Sequence, residues 1–399
     1  MALVSLMLFF GCAGKGLVSE RYDEAFYRVP DLLPEEPIGE HQLFLVYSDN
    51  QAGWRAYETF GKKENWTNWR MALVPFYQIY MFGQGIIGTI NYMAHRPDYG
   101  GRERRMMRDA IYDAARTNGA AFILNVGDIN ASDGRRPEHW ALFLRENRIE
   151  HPLLEDIPYL PVIGNHERAN DTLYGRHNFN AVFGRPGFYT VEFADASLFV
   201  LDSSSLVDQF GYIDDSVQER LFERWFVSGA GGGPSWLERQ FELYDKPFKI
   251  VAIHHPPVTF AMHYRDWHRA AYGRNLTGKR KALVDLFGRY GVQVVFSGHD
   301  HCYQHSVVHH EGGGKTHFLV GGGAGTPLRD IVDEDTKRAY LEAYRSEGLD
   351  VEPVISAKMY HYFVVDIERG GMNITAVEVT GNDRVPLRTI ETISFGESE

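Results

Sequence analysis

Apolar residues in this chain gather into short runs, and the runs stop at residues a core would not choose. Leu43-Phe44-Leu45-Val46-Tyr47 is apolar throughout, the pattern of a strand covered on both faces, and it stops at Asp49-Asn50-Gln51. Ala121-Phe122-Ile123-Leu124-Asn125-Val126 stops at Gly127-Asp128, and Tyr159-Leu160-Pro161-Val162-Ile163 at Gly164-Asn165-His166-Glu167. Lys249-Ile250-Val251-Ala252-Ile253 leads into His254-His255-Pro256-Pro257, and Val292-Gln293-Val294-Val295-Phe296 into Ser297-Gly298-His299-Asp300-His301. Met107, Ala110, Ile111, Ala114 and Ala115 recur at helical spacing and predict a helix over 102–117, closed by Asn118-Gly119. Further helices are expected over 236–244 and 280–290. Paired strands are expected over 188–193 and 197–204, and a β-rich tail over 316–320, 362–367 and 372–379. Strand, helix and strand in succession imply a parallel pair with a crossover, so the class is α/β.

Outside these runs the pattern is poorer. Ala2 to Phe10 is an apolar stretch too short to cross a bilayer, which takes about 20 residues, and it fits the core of an export signal. It ends at Gly11-Cys12-Ala13, which resembles a bacterial lipobox. The expectation is an exported chain, periplasmic or at the cell surface, with residues 1–12 as leader and Cys12 as the point of a lipid tether. A chance cysteine in a buried N-terminal strand is the bland alternative. Residues 13–38, with Pro30, Pro34 and Pro37 among Asp31, Glu35 and Glu36, read as a linker, and 39–399 as one domain. Two insertions interrupt that domain. The stretch 53–100 is rich in aromatics such as Trp54, Trp66, Trp69 and Tyr80, and reads as a packed cover, with a lid over the site as the sharper alternative. The stretch 331–358 is charged, and its helical part reads as a solvated face.

Composition narrows the function. The 399 residues are 44% hydrophobic and carry a net charge of −12, which argues against a nucleic-acid binder with its basic stripe. Two cysteines, Cys12 and Cys302, cannot form a disulfide framework or a thiolate zinc site. Cys302 beside His301 reads as a small buried residue.

The strand ends carry the chemistry. In open α/β sheets ligands bind beyond the carboxyl ends of strands, so Asp49, Asp128, Asn165, His254, His299 and His301 point to one place. Hard oxygen and imidazole donors suit a metal ion. Their number, with Gln51 added, exceeds what one ion needs and suits two ions about 3.5–4 Å apart, the usual device for in-line displacement at phosphorus. Two divalent ions outweigh Asp49, Asp128 and a bridging hydroxide, so the site would hold a phosphate within an acidic protein.

The motifs Asp49-x-Gln51, Gly127-Asp128, Gly164-Asn165-His166-Glu167, Val251-x-x-His254-x-Pro256 and Gly298-His299-x-His301, in that order, resemble those of the calcineurin-like metallophosphoesterases, and within them the purple acid phosphatase-like branch. The resemblance runs from Leu43 to about Gly381. It implies two mixed β-sheets sandwiched between helices, and makes 39–399 the catalytic domain of a metal-dependent hydrolase of phosphate esters. It implies one metal on Asp49, Asp128 and His301, a second on Asp128, Asn165, His254 and His299, a metal-bound hydroxide as nucleophile, and His166 as the acid for the leaving oxygen. Gln51 stands where relatives often have His. Ala131 stands where purple acid phosphatases have the tyrosine that ligates ferric iron, so manganese, zinc or ferrous iron are implied as readily. The substrate is a small or exposed phosphate ester. A phosphodiesterase, and an inactive metal-binding surface scaffold, are the other readings.

Overall fold

Alternation decides the layers. In β1 (Gln42–Tyr47), Phe44 and Val46 face one way and Leu45 and Tyr47 the other, and all four are buried. A strand buried on both faces needs cover on both sides. The computed structural model describes residues 16–33, 41–51, 101–130, 134–168, 174–193, 195–207, 215–229, 232–268, 276–382, 384 and 386–396. The leader with Cys12, residues 34–38 of the expected linker, the insertion 53–100 and Ala131 lie outside them.

Two mixed sheets stack face to face, as the sequence led us to expect. One has the order β13 (Leu387–Gly396), β12 (Gly371–Val379), β11 (His361–Glu368), β1, β2 (Phe122–Asn125), β3 (Tyr159–Pro161). The other runs β10 (Asp350–Ala357), β8 (Tyr303–His309), β9 (Lys315–Gly321), β7 (Val294–Ser297), β6 (Phe248–Ile253), β5 (Ala196–Leu201), β4 (Tyr189–Glu192). Phe44, Phe122 and Phe193 stack between the sheets, with Phe44 and Phe122 ring centroids 4.5 Å apart. Met107 and Ile111 of the helix Gly101–Asn118 cover the outer face of the first sheet with Trp140 and Phe143. Leu283 and Phe287 of the helix Thr277–Tyr290 cover that of the second with Phe241. Helices thus lie outside both sheets. Among the described residues no helix is long and apolar enough to cross a membrane.

The topology positions the site. β1, β2 and β3 are parallel neighbours, and so are β6 and β7. Their carboxyl ends therefore open at one edge of each sheet, where the sheets converge. Gly298 makes the convergence possible: a Cβ there would overlap Ser48 Oγ and Asp49 Oδ2. Gly164 does the same beside Asp128.

The structure departs from the sequence reading in three places. Residues 16–33, expected within a linker, form short helices Val18–Arg21 and Glu24–Tyr27 docked on the first sheet's helices. Val18 is fully buried and its N–H donates to Asn178 Oδ1 at 2.9 Å, so this part of the stretch is docked on the domain. The charged stretch 331–358 is a helix, Glu334–Ser346, followed by edge strand β10. The helix is not merely solvated, because Tyr344 is fully buried in the second sheet's outer core. Strands β8, β10 and β13 escaped notice because their alternation mixes His, Ser, Thr and Glu with few apolar residues.

Candidate metal centre

Every non-glycine residue with positive φ among those described sits at the converging strand ends. They are Asp49 (φ 62), Gln51 (φ 42), Asp128 (φ 53) and His299 (φ 70). Such backbone costs roughly 1–3 kcal/mol per residue and persists only where the surroundings impose it. Hydrogen bonds between the ends impose it here. Asp49 N–H donates to Gly127 O at 3.0 Å, Gln51 N–H to Asp128 O at 3.0 Å, and His299 N–H to Asp49 Oδ2 at 2.8 Å.

The three candidate imidazoles share one arrangement. His254 Nδ1 lies 2.8 Å from Val126 O, and His301 Nδ1 lies 3.2 Å from Pro327 O. A carbonyl only accepts, so both rings carry their proton on Nδ1 and turn a lone pair inward from Nε2. His299 is the mirror case: Nε2 donates to Asp266 Oδ2 at 2.8 Å, leaving Nδ1. The inward atoms meet other acceptors. His254 Nε2 lies 3.2 Å from Asp128 Oδ1 and 3.1 Å from Asn165 Oδ1, and His301 Nε2 lies 3.5 Å from Asp49 Oδ1. Asp49 Oδ1 is buried and accepts no hydrogen bond. Lone pairs converging on lone pairs call for cations, and these donors fit divalent ions. Asp128, His254 and His299 can each bring a ligand atom within 4.8 Å of the others.

Charge tells the same story. Burial pushes the Asp49 carboxyl up to about 7. Burial also opposes charge on Asp128, but His166, His254 and His299 hold it well below the usual range. On His254 burial is outweighed by Asp128 and Asp49, which push the imidazole up to about 9, so that without a metal a proton takes the inward Nε2. The site recruits positive charge.

The remaining candidates take distinct places. Gln51 Nε2 donates to Asp128 Oδ2 at 3.1 Å, and Gln51 Oε1 is buried without a hydrogen bond. His166 opens a helical turn, Asn165–Arg168, with its N–H donating to Asp128 Oδ1 at 2.9 Å and its Nε2 3.5 Å from Asp128 Oδ2. Its side chain is 19% exposed against 0% for His254 and 2% for His301, so it is the imidazole that faces outward. Glu167 is fully buried, and its carboxylate accepts from the N–H groups of Gly164, Asp128 and Asn130 at 2.8–2.9 Å. His255 is buried, with its Nδ1 2.8 Å from Ser203 Oγ. Burial pushes the Cys302 thiol far up, which leaves it an inert core residue.

Three residues escaped the sequence reading. Asp266 Oδ2 takes both His299 and His263, whose Nδ1 lies 2.7 Å away. Arg329 Nη1 lies 2.6 Å from His263 Nε2. His263 and Asp266 lie on the short helical turn Met262–Trp267 and Arg329 eight residues beyond the end of β9, so none closes an apolar run directly. The only signal was the density of His, Asp and Arg over 262–268.

The sequence profile described as calcineurin-like phosphoesterase matches residues 95–303. Acid phosphatase type 7 of mouse is 26% identical over 273 residues, covering 65% of this chain and 53% of that protein. A probable glycerophosphodiester phosphodiesterase of Arcobacter nitrofigilis is 26% identical over 183 residues, covering 45% of this chain and 56% of that protein. The chain spans about half the length of these curated relatives. Among solved structures, a purple acid phosphatase from yellow lupin seeds superposes with a TM-score of 0.56 at 12% identity, over 90% of this chain and 55% of that one, a likeness of fold.

Proposed function

The chain belongs to the calcineurin-like phosphoesterase family, and on that premise we propose that it hydrolyses phosphate esters at a centre of two divalent metals. One observation carries the reading: the inward Nε2 atoms of His254 and His301 turn toward the oxygens of Asp49, Asp128 and Asn165, with Asp49 Oδ1 left without a hydrogen bond. Asp49, Asp128 and His301 would hold one ion, and Asp128, Asn165, His254 and His299 the other, with manganese, zinc or iron all compatible with this donor set. When bound, the pair would neutralise the phosphate's charge and lower the pKa of a water aimed at phosphorus.

The protein's own part is positioning and proton transfer. Asp266 fixes the His299 ring, and the carbonyls of Val126 and Pro327 fix His254 and His301. Gln51, where relatives often have His, braces the bridging Asp128 carboxylate. His166 faces outward beside Asp128 and delivers a proton to the departing oxygen, a general-acid task. One relative is an acid phosphatase and another a probable phosphodiesterase, so monoesters and diesters are both within reach of this centre.

The test is metal content measured together with hydrolysis of an aryl phosphate and a bis-aryl phosphate. We expect two metals per chain and turnover of at least one ester. His166→Ala should keep both metals and lose about 10²–10⁴-fold on esters with poor leaving groups, much less on good ones. Unchanged turnover on poor leaving groups would remove His166 from the acid role. Two metals with no turnover of either ester would favour the scaffold reading.

A further inference from the structure

We infer that Arg329 is a substrate-binding residue of this centre and that it selects phosphate monoesters over diesters. The inference rests on the hydrolase reading above and sharpens its substrate class.

Arg329 belongs to the loop between β9 and the helix Glu334–Ser346, far in sequence from any motif. Two bonds fasten it to the centre. Its backbone N–H donates to His301 O at 2.9 Å, so its position is set by a candidate metal ligand. Its Nη1 donates to His263 Nε2 at 2.6 Å. The His263 ring lies against His299, with centroids 3.7 Å apart, and Asp266 Oδ2 ties the two imidazoles together. The guanidinium is therefore one imidazole removed from a second candidate ligand.

Its charge is not taken up by an ion pair, although it acts on the buried Asp300, whose carboxyl it helps to hold down against the effect of burial. Other arginines of the fold are spent on carboxylates: Arg104 on Glu146 at 2.7 Å, Arg176 on Asp202 at 3.2 Å, Arg280 on Glu347. Arg329 forms no ion pair among the described residues; its Nη1 meets only His263 and, at 3.8 Å, Met262 Sδ. The neighbouring carboxylate, Asp330, pairs with Lys358 at 2.6 Å instead. Because Arg329 can only donate, His263 accepts at Nε2 and gives its own proton to Asp266.

The chemistry of the two ester classes differs where this cation stands. A monoester carries close to two negative charges near neutral pH and three non-bridging oxygens; a diester carries one charge and two such oxygens. Two metals answer the charge and oxygens common to both. The third oxygen, with its extra charge, is what a diester lacks. A guanidinium has five N–H donors in a fixed fork, and among the described residues only Nη1 is engaged, so the remainder can take that oxygen. A site that reserves a charged donor for a group discriminates against the analogue without it.

The experiment uses the metal-loaded full chain with Arg329→Gln and Arg329→Lys. It reads kcat/KM on an aryl phosphate and a bis-aryl phosphate, affinity for inorganic phosphate by titration calorimetry, and metal content by mass spectrometry. Arg329→Gln should lose about tenfold or more on the monoester and in phosphate affinity, as expected for one charge-assisted hydrogen bond. Diester turnover and metal content should stay near those of the parent, and Arg329→Lys should recover part of the phosphate affinity. Equal losses on both esters, unchanged phosphate affinity, or loss of metal from Arg329→Gln would each overturn the assignment. If the parent chain hydrolyses neither ester, the hydrolase reading fails, and phosphate affinity alone still decides whether Arg329 binds the anion.

Discussion

Glu167 shows how much of the candidate site is held by a residue whose oxygens are taken up by backbone N–H groups. Its two carboxylate oxygens gather three backbone N–H groups from the β2 and β3 ends, two to Oε2 and one to Oε1. A carboxamide cannot do this, because one oxygen becomes a donor facing a donor. Glu167→Gln should therefore weaken metal affinity by about 10–100-fold, as for other partners that support ligands, read by competition with a chelator. An unchanged affinity would reduce Glu167 to a packing residue. The sequence made this carboxylate visible as polar material at a strand end, but its purpose lies in backbone groups, which leave no trace in residue type. The candidate ligands were legible for the opposite reason. Asp, Asn and His closing an apolar run are unusual chemistry at a place the fold makes special. Asp266, His263 and Arg329 had no such frame.

Among elements, the helix Glu334–Ser346 is the one whose reading changed most. Its charges, Glu334, Asp335, Lys337 and Arg338 among them, read as a solvated face, and that face is solvated. The other face carries Tyr340 and Tyr344, one turn apart, a spacing that could have been read. Tyr264 stacks on Tyr340 with ring centroids 3.6 Å apart. Tyr344 Oη takes the N–H of Thr259 at 3.0 Å and donates to Thr259 O at 3.1 Å. Thr259 Oγ1 in turn donates to Asp300 Oδ2 at 2.6 Å, and Asp300 Oδ1 accepts from His263 N–H at 3.1 Å. The helix thus braces the loop that carries His263, through the residue lying between His299 and His301. Tyr344→Phe keeps the ring and strands the buried Thr259 N–H, at about 1–3 kcal/mol. It should lower the melting temperature by several degrees and weaken phosphate binding while metal content holds. A variant with both melting temperature and phosphate affinity unchanged would mean that the helix braces nothing.

At the scale of the molecule, the central strands were legible because burial on both faces makes them apolar throughout. The edge strands β10 and β13 were not, because each mixes polar residues into its alternation, whereas the edge strands β3 and β4 were read from their apolar runs, and the interior strand β8 was missed for its Gln, His and Ser. The stack of sheets also buries histidines outside the centre. His361, at the start of β11, is fully buried with Nδ1 3.1 Å from Met359 O and Nε2 3.2 Å from Val320 O, and burial pushes it down to about 4. The folded state holds it neutral. The stability this contributes is present above the unfolded-state value near 6.5 and is lost as pH falls toward 4, by about 2–3 kcal/mol. Urea unfolding of the parent and of His361→Gln, at about pH 7 and about pH 4, measures it. The parent should lose more stability between the two conditions than the variant; equal losses would place the acid sensitivity elsewhere.

The left-handed backbone at Asp49, Gln51, Asp128 and His299 has a consequence for anyone who would improve this protein. Glycine at any of the four would relax a strained turn, and the sheets' core would be untouched. A library sorted for heat tolerance alone should therefore enrich chains that have discarded their chemistry, the familiar conflict between stability and activity concentrated into four backbone positions. Selection for a better scaffold must be run with turnover in hand, or it will select a well-folded sandwich with nothing at its open edge.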